Sequence, residues 1–330
     1  MEKSLVKTIL LIGAGQLGSR HLQGLLKLEN KHNIYILDPS KESIILAKLR
    51  ANEIKNEHNL IFVSEWNLLP SFFDLVIVAT NSNIRELVVT QLLEGYKVKY
   101  LILEKVLFQE IESYERVSNL IKRKKVDTWV NHGRRLNDQY KSIKTLVREG
   151  KESVIFNLTG GNWGLACNSL HFLDLFKYIT NSDIDEIDID WLDNTLLDSK
   201  RKNYVEATGT LKGKTNNLDF FTITSFEGNA SPLTISIATS STRWIVEEGI
   251  KESTIRYFSK TNNYKEETNV FQIEFQSTLT TSVVKHIFET GKCDLPSYED
   301  AKQTHLLFIK AILKKYNQIT GLNSTICPIT

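Results

Sequence analysis

The feature that most narrows the choice of folds is Gly13-Ala-Gly15-Gln-Leu-Gly18, which follows an apolar run at residues 8–12 and opens an amphipathic stretch at 17–28. This order predicts a strand, a tight turn and a helix. The first glycine permits the turn, the second lets a ligand's pyrophosphate approach the backbone, and the third lets helix and strand pack closely. Bare amides and the helix dipole at such a turn favour an anion. Gly13, Gly15, Gln16, Leu17 and Gly18 are therefore candidate cofactor contacts. A second strand at 34–37 ends in Asp38, whose carboxylate suits the two hydroxyls of an adenosine ribose and repels a 2′-phosphate. The expected cofactor is NAD in preference to NADP, with Lys41 the basic neighbour that softens the choice. As a bare turn in an α/β domain, the same glycines need no ligand.

The alternation continues. Helix patterns at 41–50, 84–93 and 111–122 separate apolar runs at 60–63, 75–79 and 100–103. Continuous apolar strands between helices predict a parallel sheet covered on both faces, doubly wound by right-handed crossovers. The fourth strand runs into Thr80-Asn81-Ser82-Asn83. At the carboxyl edge of such a sheet this loop lies over the ligand, so Thr80, Asn81 and Asn83 join the cofactor set. Glu104-Lys105 ends the fifth strand on the same edge. A lysine there, among dipoles and a cationic ring, can exchange protons, and it reads equally as a strand-end ion pair.

Beyond residue 127 the texture changes, which divides the chain into a Rossmann domain at 1–127 and an α/β domain at 128–330. Residues 128–130 lead to a helix at 137–149. Strand-like runs follow at 154–158, 188–192, 204–211, 218–225, 233–238 and 254–258, with polar turns at Gly213, Gly228 and Asn229. These predict a large, open, mostly antiparallel sheet, with a helix at 169–178 inserted early. Helices at 277–290 and 298–316 close the chain, Pro296-Ser297 starting the last one. That helix is expected to pack back on the first domain.

The second cluster is Gly160-Gly161-Asn162-Trp163-Gly164-Leu-Ala-Cys167-Asn168-Ser-Leu-His171-Phe-Leu-Asp174. It reads as a glycine-rich loop entering a helix, with Cys167, His171 and Asp174 on one face. Histidine titrates near neutrality and suits general acid–base work, and Asp174 is placed to orient it. A lone histidine also serves as a structural residue. Asn162, Trp163, Asn168, His171, Asp174, Arg134 and Arg201 are candidate substrate contacts. The Arg134-Arg135 pair suits a carboxylate or phosphate, and reads equally as a solvated helix start.

Taken together, Gly13 to Gly18, Glu104-Lys105, the helix from Gly161 to Asp174 and Leu295-Pro-Ser-Tyr-Glu-Asp-Ala301 resemble the Gfo/Idh/MocA oxidoreductases over essentially the whole chain. The resemblance implies NAD(P), a pyranose, inositol or nucleotide-sugar substrate, and homodimers or homotetramers built through the open sheet. It makes Lys105 and His171 the catalytic pair: one accepts the hydroxyl proton as hydride leaves a ring carbon, and the other stabilises the alkoxide. Two departures stand out. The proline after the family's Glu-Lys is Val106 here. The aspartate found four residues before the histidine in the inositol dehydrogenase branch is Cys167.

Composition limits the alternatives. Lys+Arg total 41 and Asp+Glu 39, a net charge of +2, so no global field calls for nucleic acid or a membrane surface. Lys122 to Lys125 is a short basic block at a helix end. No apolar run approaches the roughly 18 residues of a spanning helix. Three cysteines, Cys167, Cys293 and Cys327, lack metal-ligand or CxxC spacing, so the expectation is no metal and a cytoplasmic location. Two other readings remain: a non-catalytic NAD(P)-binding sensor of the same fold, and an enzyme acting on a short non-carbohydrate carbonyl-type substrate such as an imine or a tetrapyrrole.

Overall fold

The apolar segment Thr8–Ile12 forms β1, whose last four residues are buried. The computed structural model describes residues 6–228, 232–249 and 251–330, so Asn229 lies outside it. After β1 come α1 (Gly18–Leu25), β2 (Asn33–Leu37), α2 (Lys41–Ala51), β3 (Asn59–Val63), β4 (Phe72–Val78), α3 (Ser82–Gly95), β5 (Lys97–Leu103), α4 (Ile111–Lys124) and β6 (Asp127–Val130). The six strands form one sheet in the order β3-β2-β1-β4-β5-β6, and every pair is parallel. The order reverses between β1 and β4, leaving a crevice beyond their carboxyl ends. Ile9, Leu10, Leu11, Val76 and Ile77 are inaccessible to solvent, as a sheet covered on both faces requires. Helix α2 starts on Ser40, whose hydroxyl accepts from the Ser43 amide. Residues 128–130, read as the lead into the second half, instead pair with β5 as the sixth strand.

Two compact units divide the chain. The first comprises the residues up to Phe108, Glu112–Gly133 and Glu274–Ala301; the second comprises Gln109–Ile111, Arg134–Ile273 and Lys302–Thr330.

In the second unit, α5 (Asp138–Gly150) and β7 (Ile155–Gly161) precede α6 (Leu165–Thr180). Next are β8 (Ile184–Asp188), β9 (Leu192–Asp198), β10 (Val205–Thr215), β11 (Phe220–Phe226), β12 (Leu233–Ala238), β13 (Thr242–Glu248), β14 (Ser253–Ser259) and β15 (Glu267–Phe271). Their sheet runs β15-β14-β13-β12-β7-β11-β10-β8, with β9 also on β10. Only β7 and β11 run parallel among these pairs. Phe156, Leu158, Phe221, Ile223, Ile235, Ile237 and Val246 alternate into the core.

Several details differ from the sequence reading. Residues 188–192 do not form one strand: β8 ends at Asp188 and β9 begins at Leu192. Gly213 is no turn but lies inside β10, where an added Cβ would stand 2.1 Å from the Glu186 carbonyl. Gly160 and Gly161 are the last residues of β7 rather than loop. β13 and β15 carry no clear sequence signal, β15 because it is an exposed edge with four of five residues open to solvent.

Helix α7 (Gln276–Thr290) belongs to the first unit and crosses α1 at Gly24, where a Cβ would stand 2.6 Å from that of Thr280. Helix α8 (Tyr298–Thr320) starts on Ser297, whose hydroxyl accepts from the Asp300 amide. No described helix is long and apolar enough to cross a membrane.

Candidate functional site

The turn after β1 depends on its glycines for separate reasons. Gly13 sits at φ +92°, and a Cβ there would press on the Ala79–Thr80 backbone at about 3 Å. Gly18 lies against the Gly13 carbonyl, where a Cβ would stand at 1.8 Å. Gly15 faces open space, with nothing within 4 Å of a Cβ. Helix α1 begins at Gly18 with no side-chain cap from Leu17; the Ser19, Arg20 and His21 amides bond to the Gly15 and Leu17 carbonyls, so an anion here would be met by the amides of the turn before them. Asp38 stands beside this turn. Its Oδ2 accepts from the Ala14 amide at 2.7 Å and its Oδ1 from the Ser40 amide at 2.8 Å, which fixes the carboxylate plane and leaves each oxygen a further lone pair.

Arg50 reaches from α2 to the same turn. Its guanidinium donates to the Gln16 carbonyl and the Ser19 hydroxyl, each at 2.6 Å, and to Gln16 Oε1 at 2.5 Å. The Gln16 side chain, an expected cofactor contact, is thus held by protein.

On the other side of the crevice, Asn81 precedes α3 and Asn83 lies in its first turn, both exposed. The Thr80 hydroxyl is buried with no hydrogen-bond partner. Such an orphan is costly unless something completes it. An uncapped helix start, open room at Gly15 and this orphan hydroxyl together fit a dinucleotide.

Arg85, 1% exposed, projects from α3 and donates to the carbonyls of Thr80, Val106 and Leu107, the last at 3.1 Å. The Lys105–Val106 peptide bond is cis. Lys105 is half-buried at the strand end.

Glu104, expected among the cofactor contacts, turns its carboxylate into the first unit and is 2% exposed. Its Oε1 meets His21 Nε2 at 2.8 Å and accepts from Asn131 Nδ2 at 2.5 Å. His21 Nδ1 meets the Thr280 hydroxyl at 2.9 Å, and Gln276 bridges Thr280 and Asn131. Burial would push the Glu104 carboxyl up, but His21, Asn131 and the Lys105 charge together hold it below the usual range. The hydrogen-bonding role of Glu104 is to anchor the strand end that carries Lys105.

In the second unit the predicted helix face is real, and its partners differ from those expected. Asn162 (φ +52°) and Gly164 (φ +78°) turn the chain between β7 and α6. The Glu206 carboxylate of β10 accepts from the Ala166 and Cys167 amides at 2.8 and 3.3 Å, so this helix start already holds an anion. Asn168 Nδ2 donates to the Trp163 carbonyl at 2.8 Å, and Trp163 Nε1 donates to that of Thr224 at 3.0 Å. Trp163 meets Phe172 edge-on, and Arg134 stacks on Phe172 at 4.1 Å. His171 is half-buried on α6.

Three of the expected residues have protein partners in this cluster. The Asp174 Oδ2 and Oδ1 accept from Arg135 at 2.9 and 2.5 Å in a buried pair. Arg134 pairs with Glu248, which also accepts from the Tyr140 hydroxyl at 2.7 Å. Burial would lower the Arg134 pKa, but Glu248 raises it, and the guanidinium stays charged and engaged. Arg201, exposed, reaches Thr330 at 3.5 Å. Cys167, at the place of the inositol dehydrogenase aspartate, is 7% exposed with Ser199 Oγ 4.0 Å from its sulfur.

Lys105 belongs to the first unit and His171 to the second. Among the described residues no group of three or more His, Cys, Asp or Glu is placed to hold a metal ion. Sequence reasoning missed Arg50, Arg85, Asn131 and Glu206. Arg50, Asn131 and Glu206 come from elements distant in sequence and Arg85 from the helix after the Thr80 loop, and none carries a local signal. His21, three residues after Gly18, is the one with a spacing that could have been read.

Residues 7–132 match the family model described as an oxidoreductase family with an NAD-binding Rossmann fold (GFO_IDH_MocA). No curated protein matches the chain. Among solved structures, the transcriptional regulator Gal80p from Kluyveromyces lactis aligns with TM-score 0.73 at 16% identity, covering 96% of this chain and 94% of that one. UDP-N-acetylglucosamine 3-dehydrogenase GnnA from Acidithiobacillus ferrooxidans aligns with TM-score 0.69 at 12% identity, covering 93% and 97%. Apo scyllo-inositol dehydrogenase from Lactobacillus casei aligns with TM-score 0.66 at 16% identity, covering 94% and 96%. At these identities the likeness is one of fold.

Proposed function

We propose, on the match of residues 7–132 to the model of an oxidoreductase family with an NAD-binding Rossmann fold, that the chain oxidises or reduces a ring CH–OH group of a sugar, inositol or nucleotide-sugar. The observation that carries this reading is the Asp38 carboxylate, fixed by two amides beside the open turn at Gly15. The amides of the Gly13–Gly18 turn would hold a pyrophosphate, Asp38 an adenosine ribose, and the Thr80 hydroxyl the other half of the dinucleotide. When bound, the dinucleotide supplies the hydride acceptor or donor.

The proton chemistry falls to this chain. Lys105 Nζ and the His171 imidazole are the two groups proposed to take and return the hydroxyl proton, one as base and the other as alkoxide partner. Asn162, Trp163 and Asn168 are the proposed substrate contacts. Arg134 and Asp174, proposed with them, are also engaged by Glu248 and Arg135. The Glu206 carboxylate at the start of α6 repels an anionic substrate group there and favours hydroxyls.

A regulator that binds the nucleotide without turnover is the second reading. It is favoured by the buried Cys167 in place of the aspartate and by the engagement of Asp174 with Arg135. The deciding measurement is nicotinamide absorbance during incubation with a panel of sugars, inositols and nucleotide-sugars. Turnover that Lys105→Ala and His171→Ala abolish supports the enzyme; tight NADH binding with no turnover on any of them supports the regulator.

The outer face of the large sheet exposes Ile155, Phe220 and Phe226, and we propose that a second copy of the chain covers it. Light scattering reads the assembly: a monomer for wild type overturns it, and Phe220→Glu should dissociate a dimer.

A further inference from the structure

One residue outside every expected site set joins the two loops beyond β4 and β5. Arg85 is buried on α3, and its guanidinium donates to the Thr80 carbonyl in one loop and to the Val106 and Leu107 carbonyls in the other. A planar fork of five N–H donors can serve three carbonyls in two segments at once; an ammonium cannot do so with the same geometry. Both segments carry proposed site atoms. Thr80 adds the orphan hydroxyl, and Val106 directly follows Lys105.

The Glu104–Lys105–Val106–Leu107 stretch is therefore held at two points. His21 and Asn131 hold the Glu104 carboxylate, and Arg85 holds the two carbonyls after Lys105. Between them stands Lys105. The proline that follows the lysine in the family is absent, and a side chain from the neighbouring helix holds the backbone at that point.

We propose that Arg85 is a positioning residue that locks the β4 and β5 loops into one unit, placing the Thr80 hydroxyl and Lys105 together on the nicotinamide side of the site. This rests on the NAD-dependent reading above. Strand order supplies the side: Asp38, just after β2, lies to one side of the β1–β4 reversal, and the Arg85 clamp, on the loops after β4 and β5, lies to the other. A dinucleotide with its adenosine ribose at Asp38 must then extend its other half toward Thr80 and Lys105. Loss of the clamp should weaken that half alone.

The test compares two ligands on the full-length chain by calorimetric titration: NADH, and ADP-ribose, which lacks the nicotinamide ring. Arg85→Lys keeps the charge and removes the fork. Its NADH Kd should rise about tenfold, about 1.4 kcal/mol, with its ADP-ribose Kd within about twofold of wild type. Equal weakening of both ligands would make Arg85 a mere support of the fold and overturn the proposal, as would no change in either. Wild-type protein that binds neither ligand defeats the cofactor reading itself, a result distinct from both.

Should Arg85→Lys not fold, hydrogen exchange on the wild type gives the answer. NADH, and not ADP-ribose, should slow exchange in residues 80–86 and 105–108 together. Protection confined to the first segment overturns the clamp.

Discussion

The two candidate sites differ in how their side chains are held. In the first unit the groups that face the crevice come from strand ends and one turn: the Gly13–Gly18 amides, Asp38 and Thr80. Backbone amides and glycine geometry set their positions. In the second unit the start of α6 is surrounded by long-range pairs, Arg135 with Asp174, Arg134 with Glu248 and Glu206 with the helix amides. The first arrangement is set by backbone groups at the ends of neighbouring strands and leaves its polar groups open to a ligand. The second is assembled from distant segments, and many of its charges are already neutralised.

The sharpest way to break this contrast uses one substitution at two glycines. Gly18→Ala puts a methyl 1.8 Å from the Gly13 carbonyl. The turn or the helix must move, so we expect a loss of about 4 kcal/mol or more and no NADH binding. Gly15→Ala meets no neighbour; its thermal midpoint should stay within a few degrees of wild type, while NADH affinity falls about tenfold because the methyl stands where a pyrophosphate must approach. If Gly15→Ala binds NADH normally, the open space there does not hold the phosphates.

The next test concerns Asp174. Its pair with Arg135 is buried and bidentate, and removing one partner of such a pair typically costs about 3–5 kcal/mol, because the other charge is left uncompensated. Asp174→Ala should therefore unfold at clearly lower denaturant. The double variant Asp174→Leu with Arg135→Met should recover much of that loss. An Asp174→Ala protein of normal stability whose activity profile shifts with pH would instead give the residue the role of orienting His171.

These two regions also mark how far the sequence could be read. The parallel sheet was legible because strands such as Leu75-Val-Ile-Val78 are continuously apolar, and that pattern has few other uses. The glycine turn was legible because each glycine answers a different steric demand. β13 was missed because only Trp244 and Val246 of its seven residues are buried, with charges at Arg243, Glu247 and Glu248 around them. Arg85 and Glu206 could not be found, since a buried arginine and a capping glutamate look like any surface charge until the chain is folded. The helix face of Cys167, His171 and Asp174 was read from spacing, but spacing does not say that Arg135 arrives from another segment.

A third effect separates the units by pH. His32, 4% exposed in the first unit, accepts from the Lys7 amide through Nδ1 and stacks on His58. Burial, then the neighbouring His58 and Lys7 charges, lowers its pKa from 6.5 to about 4 against the opposing pull of Asp74. The folded state thus binds fewer protons than the unfolded one between these values. The stability this provides is complete above pH 6.5 and is lost as pH falls toward 4. That is at most about 3 kcal/mol. The unfolding midpoint of wild type should drop across this window, and His32→Phe should flatten the slope. An unchanged slope would show that His32 is not held neutral.

The smallest expected effect tests the residue on which cofactor choice depends. Both Asp38 oxygens are pinned by amides, from Ala14 and Ser40, so the carboxylate cannot rotate away from a ligand that presents a 2′-phosphate. Arg50, which reaches that turn, donates to Gln16 and Ser19. Like-charge repulsion is thus left standing, and NADH should bind several-fold more tightly than NADPH, about 1 kcal/mol. Asp38→Ala removes the repulsion but also frees the two amides, so NADH should weaken while NADPH changes less, and the gap narrows from both sides. Raising salt should narrow it further in wild type and leave Asp38→Ala unmoved, because only the wild-type preference is electrostatic. Equal affinities for the two nucleotides in wild type would mean that a fixed carboxylate at this strand end does not set the choice, and that the contrast between an open first site and a neutralised second one stops short of specificity.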